Sequence, residues 1–232
     1  MMLHIESMQI QRGQEEQGLT VSLPSLSLDA GEVAALTGPS GCGKSTLLEM
    51  IGGILQPDHL MCYRLGMPPR DIATPILAGE ERQLAGIRAK DIGFVLQHGG
   101  LLPWLSVEQN IQLPRKIAGL VAHSDWLDTA ISRLKIGGLM KKMPSQLSIG
   151  ERQRVAFVRA IAHQPQLLLA DEPTAALDPH NAEALFDLII EMVNSLGLVA
   201  IIVSHDWQRV TDLSLKRYVA KVDEKQSVFK IY

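Results

Sequence analysis

The stretch Gly38-Pro39-Ser40-Gly41-Cys42-Gly43-Lys44-Ser45-Thr46 matches G-x-x-x-x-G-K-[S/T] and lies between an apolar run, Val33 to Leu36, and a helix-like segment, Thr46 to Ile51. Strand, glycine-rich loop and helix in that order commit the chain to an α/β unit with a phosphate-binding loop. A triphosphate is held there by backbone N–H groups, and glycines let the backbone wrap closely enough for several of them to point inward. Lys44 supplies a point charge to the terminal phosphates, and the Ser45 hydroxyl is a candidate ligand for Mg²⁺. The helix beginning near Gly43 adds the positive end of its dipole. The competing reading of Cys42 as a nucleophile is weaker than that of a small filler with a reactive thiol.

The length of 232 residues allows one sizeable core, or one core with a small subdomain. Every long apolar run is broken by charge or proline, so no membrane-spanning segment is expected. The N-terminal Met1-Met2-Leu3-His4-Ile5-Glu6 lacks a basic region followed by a long apolar stretch, so no secretory signal is expected either. A formal net charge of −3 argues against a dedicated nucleic-acid binder. Two cysteines, Cys42 and Cys62, are too few for a disulfide framework and too isolated for a zinc site, which suits a reduced, cytosolic protein.

Val21, Leu23, Leu26 and Leu28, followed by Asp29-Ala30-Gly31-Glu32, read as one or two edge strands of a β layer covering the nucleotide loop. Ile92 to Leu96, Leu167 to Ala170 and Leu198 to Val203 are short apolar runs of the kind buried on both faces of a parallel sheet. Asp178-Pro179 opens a helix with an apolar stripe from Ala184 to Val193 that Gly197 stops. Helices are also expected over Ser124 to Leu134 and over Arg152 to His163, the second ended by Pro165. The segment from Pro57 to Arg88 gives only a weak strand signal around Leu60 to Leu65, and two further strands are expected over Tyr218 to Val222 and Val228 to Ile231. The expected fold is therefore α/β: a single domain over 1–232, with a nucleotide-binding core from 1–96 and 164–232, an N-terminal antiparallel β layer, a mostly parallel sheet and an inserted helical subdomain over 97–163.

Leu167-Leu168-Leu169-Ala170-Asp171-Glu172 is an apolar strand that delivers two carboxylates at its C-terminal end, where ligands of a parallel sheet gather. Asp171 suits a metal and Glu172 suits the orientation and deprotonation of a water. Alone, the pair is equally readable as a solvated turn. Together with the phosphate loop it reads as the second half of an active site.

Leu147-Ser148-Ile149-Gly150-Glu151-Arg152-Gln153-Arg154, just before that strand, resembles the signature segment of ABC-transporter ATPase subunits. Gln97 after the strand at Ile92 to Leu96, Ala175-Ala176-Leu177-Asp178 after the acidic pair, and His205 after the strand at Leu198 to Val203 resemble further elements of the same family, in the same order. The resemblance covers nearly the whole chain and implies a P-loop NTPase core that binds ATP and Mg²⁺ and packs head to tail as a homodimer or heterodimer. It implies that Ser148 and Gly150 face the γ-phosphate of the opposite subunit, that Gln97 senses Mg²⁺ and the γ-phosphate, that His205 contacts the γ-phosphate and that Asp178 helps link the two sites. A transmembrane permease subunit would be the partner, docked on the segment Gly99 to Asn110, which places the chain on the cytoplasmic face of the membrane. Packing of Leu101, Leu102, Trp104 and Leu105 inside the helical subdomain is the alternative for that segment.

Two departures from the family pattern stand out. Ile149 occupies a place where the family usually has glycine, which narrows backbone freedom and brings bulk towards a phosphate. The N-terminal aromatic that normally stacks on adenine is missing from Gln9-Ile10-Gln11-Arg12-Gly13; Arg12 is the candidate to stack on the base, and a solvated arginine is the alternative. Within the family, the runs Arg88 to Val95 and Leu169 to Thr174 look most like the lipoprotein-release and macrolide-efflux branch, whereas Leu101-Leu102-Pro103-Trp104 also resembles small-anion importers. A soluble, non-transport ABC-type ATPase and a module that binds ATP without turning it over complete the alternatives.

Overall fold

Apolar alternation in the first strands is interrupted once, and both strands absorb the interruption at the same place. The computed structural model describes residues 1–13, 18–204 and 207–232. β1 (Leu3–Arg12) and β2 (Leu19–Leu28) pair antiparallel in one register, with Glu6 opposite Ser25 and Met8 opposite Leu23, and Ser7 and Pro24 between them are the residues at which each strand's alternation shifts by one. Ser7 takes a positive φ of 53°. This paired step keeps Leu3, Ile5, Met8 and Ile10 on one buried face with Val21, Leu23, Leu26 and Leu28, although the spacing slips by one in each strand.

β3 (Val33–Thr37) is buried throughout and runs through the phosphate loop into α1 (Lys44–Ile51). The stretch that gave the weakest sequence signal holds β4 (Cys62–Leu65), β5 (Arg70–Asp71), α2 (Ala73–Leu77) and α3 (Glu81–Asp91), which leads directly into β6 (Ile92–Val95). Between β6 and the next strand come α4 (Val107–Ala118), α5 (Asp125–Arg133) and α6 (Ile149–Ile161), with two short 3₁₀ turns between α5 and α6. The chain ends with β7 (Leu167–Asp171), α7 (Pro179–Leu196), β8 (Val199–Val203), α8 (Trp207–Asp212), β9 (Lys216–Asp223) and β10 (Gln226–Ile231).

The strands join in the order β5-β4-β1-β2-β10-β9-β3-β8-β7-β6. β6, β7, β8, β3 and β9 are parallel, and β1, β2, β4 and β5 form the antiparallel layer. The expectation of edge strands over Val21 to Leu28 is corrected: β2 is interior, because β10 returns from the far end of the chain and pairs parallel to it, with Ser227 opposite Val21.

Alternation along the central strands sorts the core into two. Leu167, Leu169, Val199, Ile201 and Val203 face α1 and the antiparallel layer, whereas Leu168, Ala170, Ala200 and Ile202 face the core shared with α4 to α7. The phosphate-loop helix is thus clamped between the parallel strands and the antiparallel layer. The Tyr63 hydroxyl donates to the Ile51 carbonyl at its C-terminal end.

α6 departs from the helix expected over Arg152 to His163: it starts at Ile149 and ends at Ile161. Ser148 is its N-cap, accepting from the Glu151 N–H at 3.2 Å, while the Glu151 carboxylate accepts from the Ser148 N–H at 2.8 Å. That reciprocal capping box pulls the start forward, so Gly150 lies in the first turn instead of before it.

Candidate active site

The loop end of the parallel sheet brings together residues from four separate places in the chain. Gly43 has φ +90°, and a Cβ there would lie 2.4 Å from Val21 Cγ2, so the loop is pressed onto β2 with no room for a side chain. Gly38 is similarly packed on the other side, where a Cβ would meet that of Ala220 at 2.7 Å. Cys42 is buried, and desolvation pushes its thiol above the ordinary value against the opposing pull of Lys44, which suits the filler and not the nucleophile. Pro39 and Ser40 are exposed on the rim of the loop, and Thr46 follows in the first turn of α1.

Lys44 Nζ donates to the carbonyls of Gly38 and Pro39 at 3.0 and 2.9 Å, so the ammonium is held over the hollow of the loop. Ser45 Oγ donates to Asp171 Oδ2 at 2.8 Å, joining the first turn of α1 to the end of β7. Both groups are hard oxygen donors, the set that a divalent cation shared with phosphates takes. They therefore fit Mg²⁺.

Glu172, one residue past β7, has φ 48°, a left-handed backbone that a non-glycine residue adopts only when its surroundings impose it. Its N–H donates to the Val203 carbonyl at 3.2 Å, and its Oε2 accepts from Gln97 Nε2 at 3.1 Å. Gln97 in turn accepts at its backbone carbonyl from Gln153 Nε2 at 2.8 Å, and Gln153 is a buried residue of α6. Sequence reasoning passed over Gln153, although it lies inside the quoted signature run; its place there was the available signal, whereas its burial was not legible.

Ser148, Gly150 and Asp178 form a second group. Helix geometry leaves the N–H groups of Ile149 and Gly150 without acceptors within α6, and the Ser148 hydroxyl, which accepts from Glu151, keeps its own proton to donate. Ile149 points into solvent, 55% exposed. Asp178 caps α7: it accepts from the side chain and backbone N–H of Asn181, and these bonds hold its carboxyl below the usual carboxylate range. A Cβ at Gly150 would lie 3.7 Å from Leu177 of the turn before that cap. Among the described residues, no side-chain hydrogen bond of Ser148 or Asp178 reaches the first group. Arg12 is exposed at the end of β1, opposite Leu19 and next to the strand that backs Gly43. His205 lies outside the described residues.

The chain matches the family model described as ABC transporter over residues 22–175. It belongs to that family. The phosphate loop, the acidic strand end and Ser148 are therefore parts of an ATP-binding-cassette ATPase subunit. The chain is 40% identical over 185 residues, 78% of each chain, to the lipoprotein-releasing system ATP-binding protein LolD of Paramagnetospirillum magneticum. It is 36% identical to LolD of Bacteroides fragilis, covering 86% of this chain and 94% of that one. Among solved structures, it superimposes on a dimeric ATP-binding cassette in a post-hydrolysis state bound to ADP and Pi with a TM-score of 0.78 at 26% identity, covering 97% of this chain and 96% of that one.

Proposed function

We propose that this subunit hydrolyses ATP as the motor of a lipoprotein-releasing type of transporter, working as a head-to-tail pair beneath a separate permease. The observation that carries the reading is the convergence of Ser45 with Asp171 and of Gln97 with Glu172 beside the phosphate loop. The loop N–H groups from Gly38 to Thr46 cradle the phosphates, and Lys44 sets its charge on the terminal ones. Ser45 and Asp171, with Gln97, would hold Mg²⁺, which when bound neutralises phosphate charge. Glu172 takes the proton of the attacking water as the water oxygen bonds to the γ-phosphorus; the bond to the ADP oxygen breaks, leaving ADP and inorganic phosphate. The contact to Gln97 and the imposed backbone of Glu172 aim that carboxylate. His205 would add a contact to the γ-phosphate, and Arg12 would lie against the base.

The second group supports the pairing. Ser148 and the first turn of α6 offer a hydroxyl, two backbone donors and a positive dipole end, and an opposed copy would bring a γ-phosphate to them while Asp178 meets its counterpart. ATP contacts made only in the closed pair shift the open–closed equilibrium, and loss of the γ-phosphate removes them.

Permease contact is best supported at a cleft of about 390 Å³ walled by Phe94, Leu96, Pro114 and Ile117 with Arg88 and Arg159. Gly99 and Gly100 also line it, and Trp104 of the same Gly99 to Asn110 segment is 69% exposed, which favours docking over internal packing for that residue, although Leu101 does pack partly against the second core. No helix among the described residues is long and apolar enough to cross a membrane. We place the subunit on the cytoplasmic face, held by its partner, with residues 97–163 as the helical subdomain that receives it. The relatives favour this reading over the small-anion importer and over the soluble ABC-type ATPase.

Glu172→Gln tests the assignment. The variant should bind ATP, remain dimeric in its presence and lose turnover by about a hundredfold or more. Turnover near wild type would remove Glu172 from its role.

A further inference from the structure

A second cavity, of about 340 Å³, opens between the C-terminal end of α5, the start of α6 and the outer face of α7. It lies at the small end of ligand-pocket sizes. Its floor is apolar, made by the buried Leu134 and Leu185 with Leu177. Its rim carries Arg133, Lys135 and Arg154, and no acidic residue lines it.

The three cations differ in what they already touch. Arg133 is paired with Glu191 on α7. Lys135 has no ion pair among the described residues, but like Arg133 it stands at a helix C-terminus, where a basic side chain complements the dipole without any ligand. Arg154 has no such explanation. It sits in the second turn of α6, makes no hydrogen bond or ion pair among the described residues, and has its Nε shielded from solvent with no acceptor. Glu151 of the same helix feels its charge without forming an ion pair with it. The Arg154 guanidinium that lines the cavity thus brings a cation without an ion pair to its wall, where an anionic group would meet it.

We propose that this cavity binds a small amphiphilic anion, a single carboxylate, sulfonate or phosphate on an apolar body, with Arg154 as its counter-charge and the leucine floor receiving the body. The volume admits one acyl chain or a fused pair of rings. Gly150 forms part of the wall, and a Cβ there would lie 3.7 Å from both Arg154 Nη1 and Leu177. An occupant therefore rests against the signature turn, assigned to the opposed subunit's nucleotide, and the turn before α7, assigned to the contact between the two subunits. Binding there is a route by which an amphiphile tunes ATP turnover, and that consequence, unlike the binding itself, rests on the proposed pairing.

The test uses the full chain without nucleotide, so that its result is independent of the catalytic assignments. Decanoate, kept below its aggregation threshold, and decanol are titrated by calorimetry into the wild type, Arg154→Gln and Ala184→Trp. Ala184 is exposed on α7 and lines the cavity, so the indole fills the space without touching the core. Melting temperatures near that of the wild type establish that both variants are folded. Decanoate should bind the wild type, decanol about tenfold or more weakly, and each substitution should weaken decanoate by about tenfold or more. Absence of decanoate binding, equal affinity for decanol, or binding that survives either substitution overturns the proposal. Phosphatidylglycerol vesicles form the second arm: vesicle binding without decanoate binding would mean surface attraction to lipid and would also overturn the site.

Discussion

Gly43 and Gly41 share a left-handed backbone, with φ +90° and +76°, but not a neighbourhood. A Cβ on Gly43 runs into Val21 Cγ2 at 2.4 Å, whereas a Cβ on Gly41 meets nothing within 4 Å. Alanine at Gly41 should therefore add only the backbone term, about 1–2 kcal/mol. Alanine at Gly43 should add overpacking against β2 of about 1–3 kcal/mol more, and because the loop must lift to relieve it, ATP affinity should fall with stability. Chemical denaturation and binding of a fluorescent ATP analogue measure both effects. Equal losses in the two variants would show that the contact with Val21 does not set the loop. The glycine spacing alone made the loop legible in the sequence, as did Lys44 and Ser45. The reason Gly43 must be glycine was not legible, since it lies in a strand more than twenty positions upstream. Glu172 was legible as an acid at a strand end; its left-handed backbone depends on Val203 and Gln97 and could not be read from neighbours in sequence.

Among the elements, α6 shows where local signals compete. The helix expected from Arg152 leaves out Ile149 and Gly150, which are poor helix formers; the Ser148–Glu151 capping box, also visible in the sequence, draws both into its first turn. α4 was missed for a related reason. Pro114 lies inside it, yet Ser106 and Gln109 form a complete capping box and the buried Asn110 side chain ties the helix to Leu102, Leu105 and Ser106. The strands were legible because burial on both faces leaves unbroken apolar runs, whereas the order that brings β10 against β2 is a long-range pairing with no local signature. Ser148 carries two roles in one hydroxyl, and substitution separates them. Ser148→Asp retains an N-cap acceptor but puts a negative charge where a γ-phosphate is to be received, so the melting temperature should hold while ATP-driven dimerisation is lost. Ser148→Ala should lose about 1 kcal/mol of stability as well. Calorimetry and sedentation-based sizing with ATP on a Glu172→Gln background provide both readouts, and dimerisation of the Asp variant equal to that of the parent would leave Ser148 as a cap only.

At the scale of the molecule, the cleft proposed for docking and the hydrolytic site lie along one stretch of chain through β6. Ile92, Phe94 and Leu96 line the cleft, and Gln97, next in the chain, touches Glu172. Among the described residues, the side-chain hydrogen bond on the Gln97 carbonyl comes from Gln153 of α6, the helix that also lends Arg159 and Ala160 to the cleft wall. A partner pressing into the cleft thus bears on both elements that position Gln97. Coupling along this route is read as an interaction free energy between its residues. Gln153→Leu removes the donor while filling nearly the same space, and the Gln153 Oε1 it also removes is already buried without a partner. With Gln153 as a positioning residue, that variant should keep most of the basal turnover of the isolated subunit and lose about fivefold or more of the stimulation by the permease. Ile117→Glu, on the exposed α4 wall of the cleft, should lower stimulation in the same way, and the double variant should be no worse than the stronger single one. Basal and stimulated rates that fall together in Gln153→Leu would make Gln153 part of the hydrolytic site proper, and additive losses in the double variant would mean that the cleft reaches Glu172 by another route.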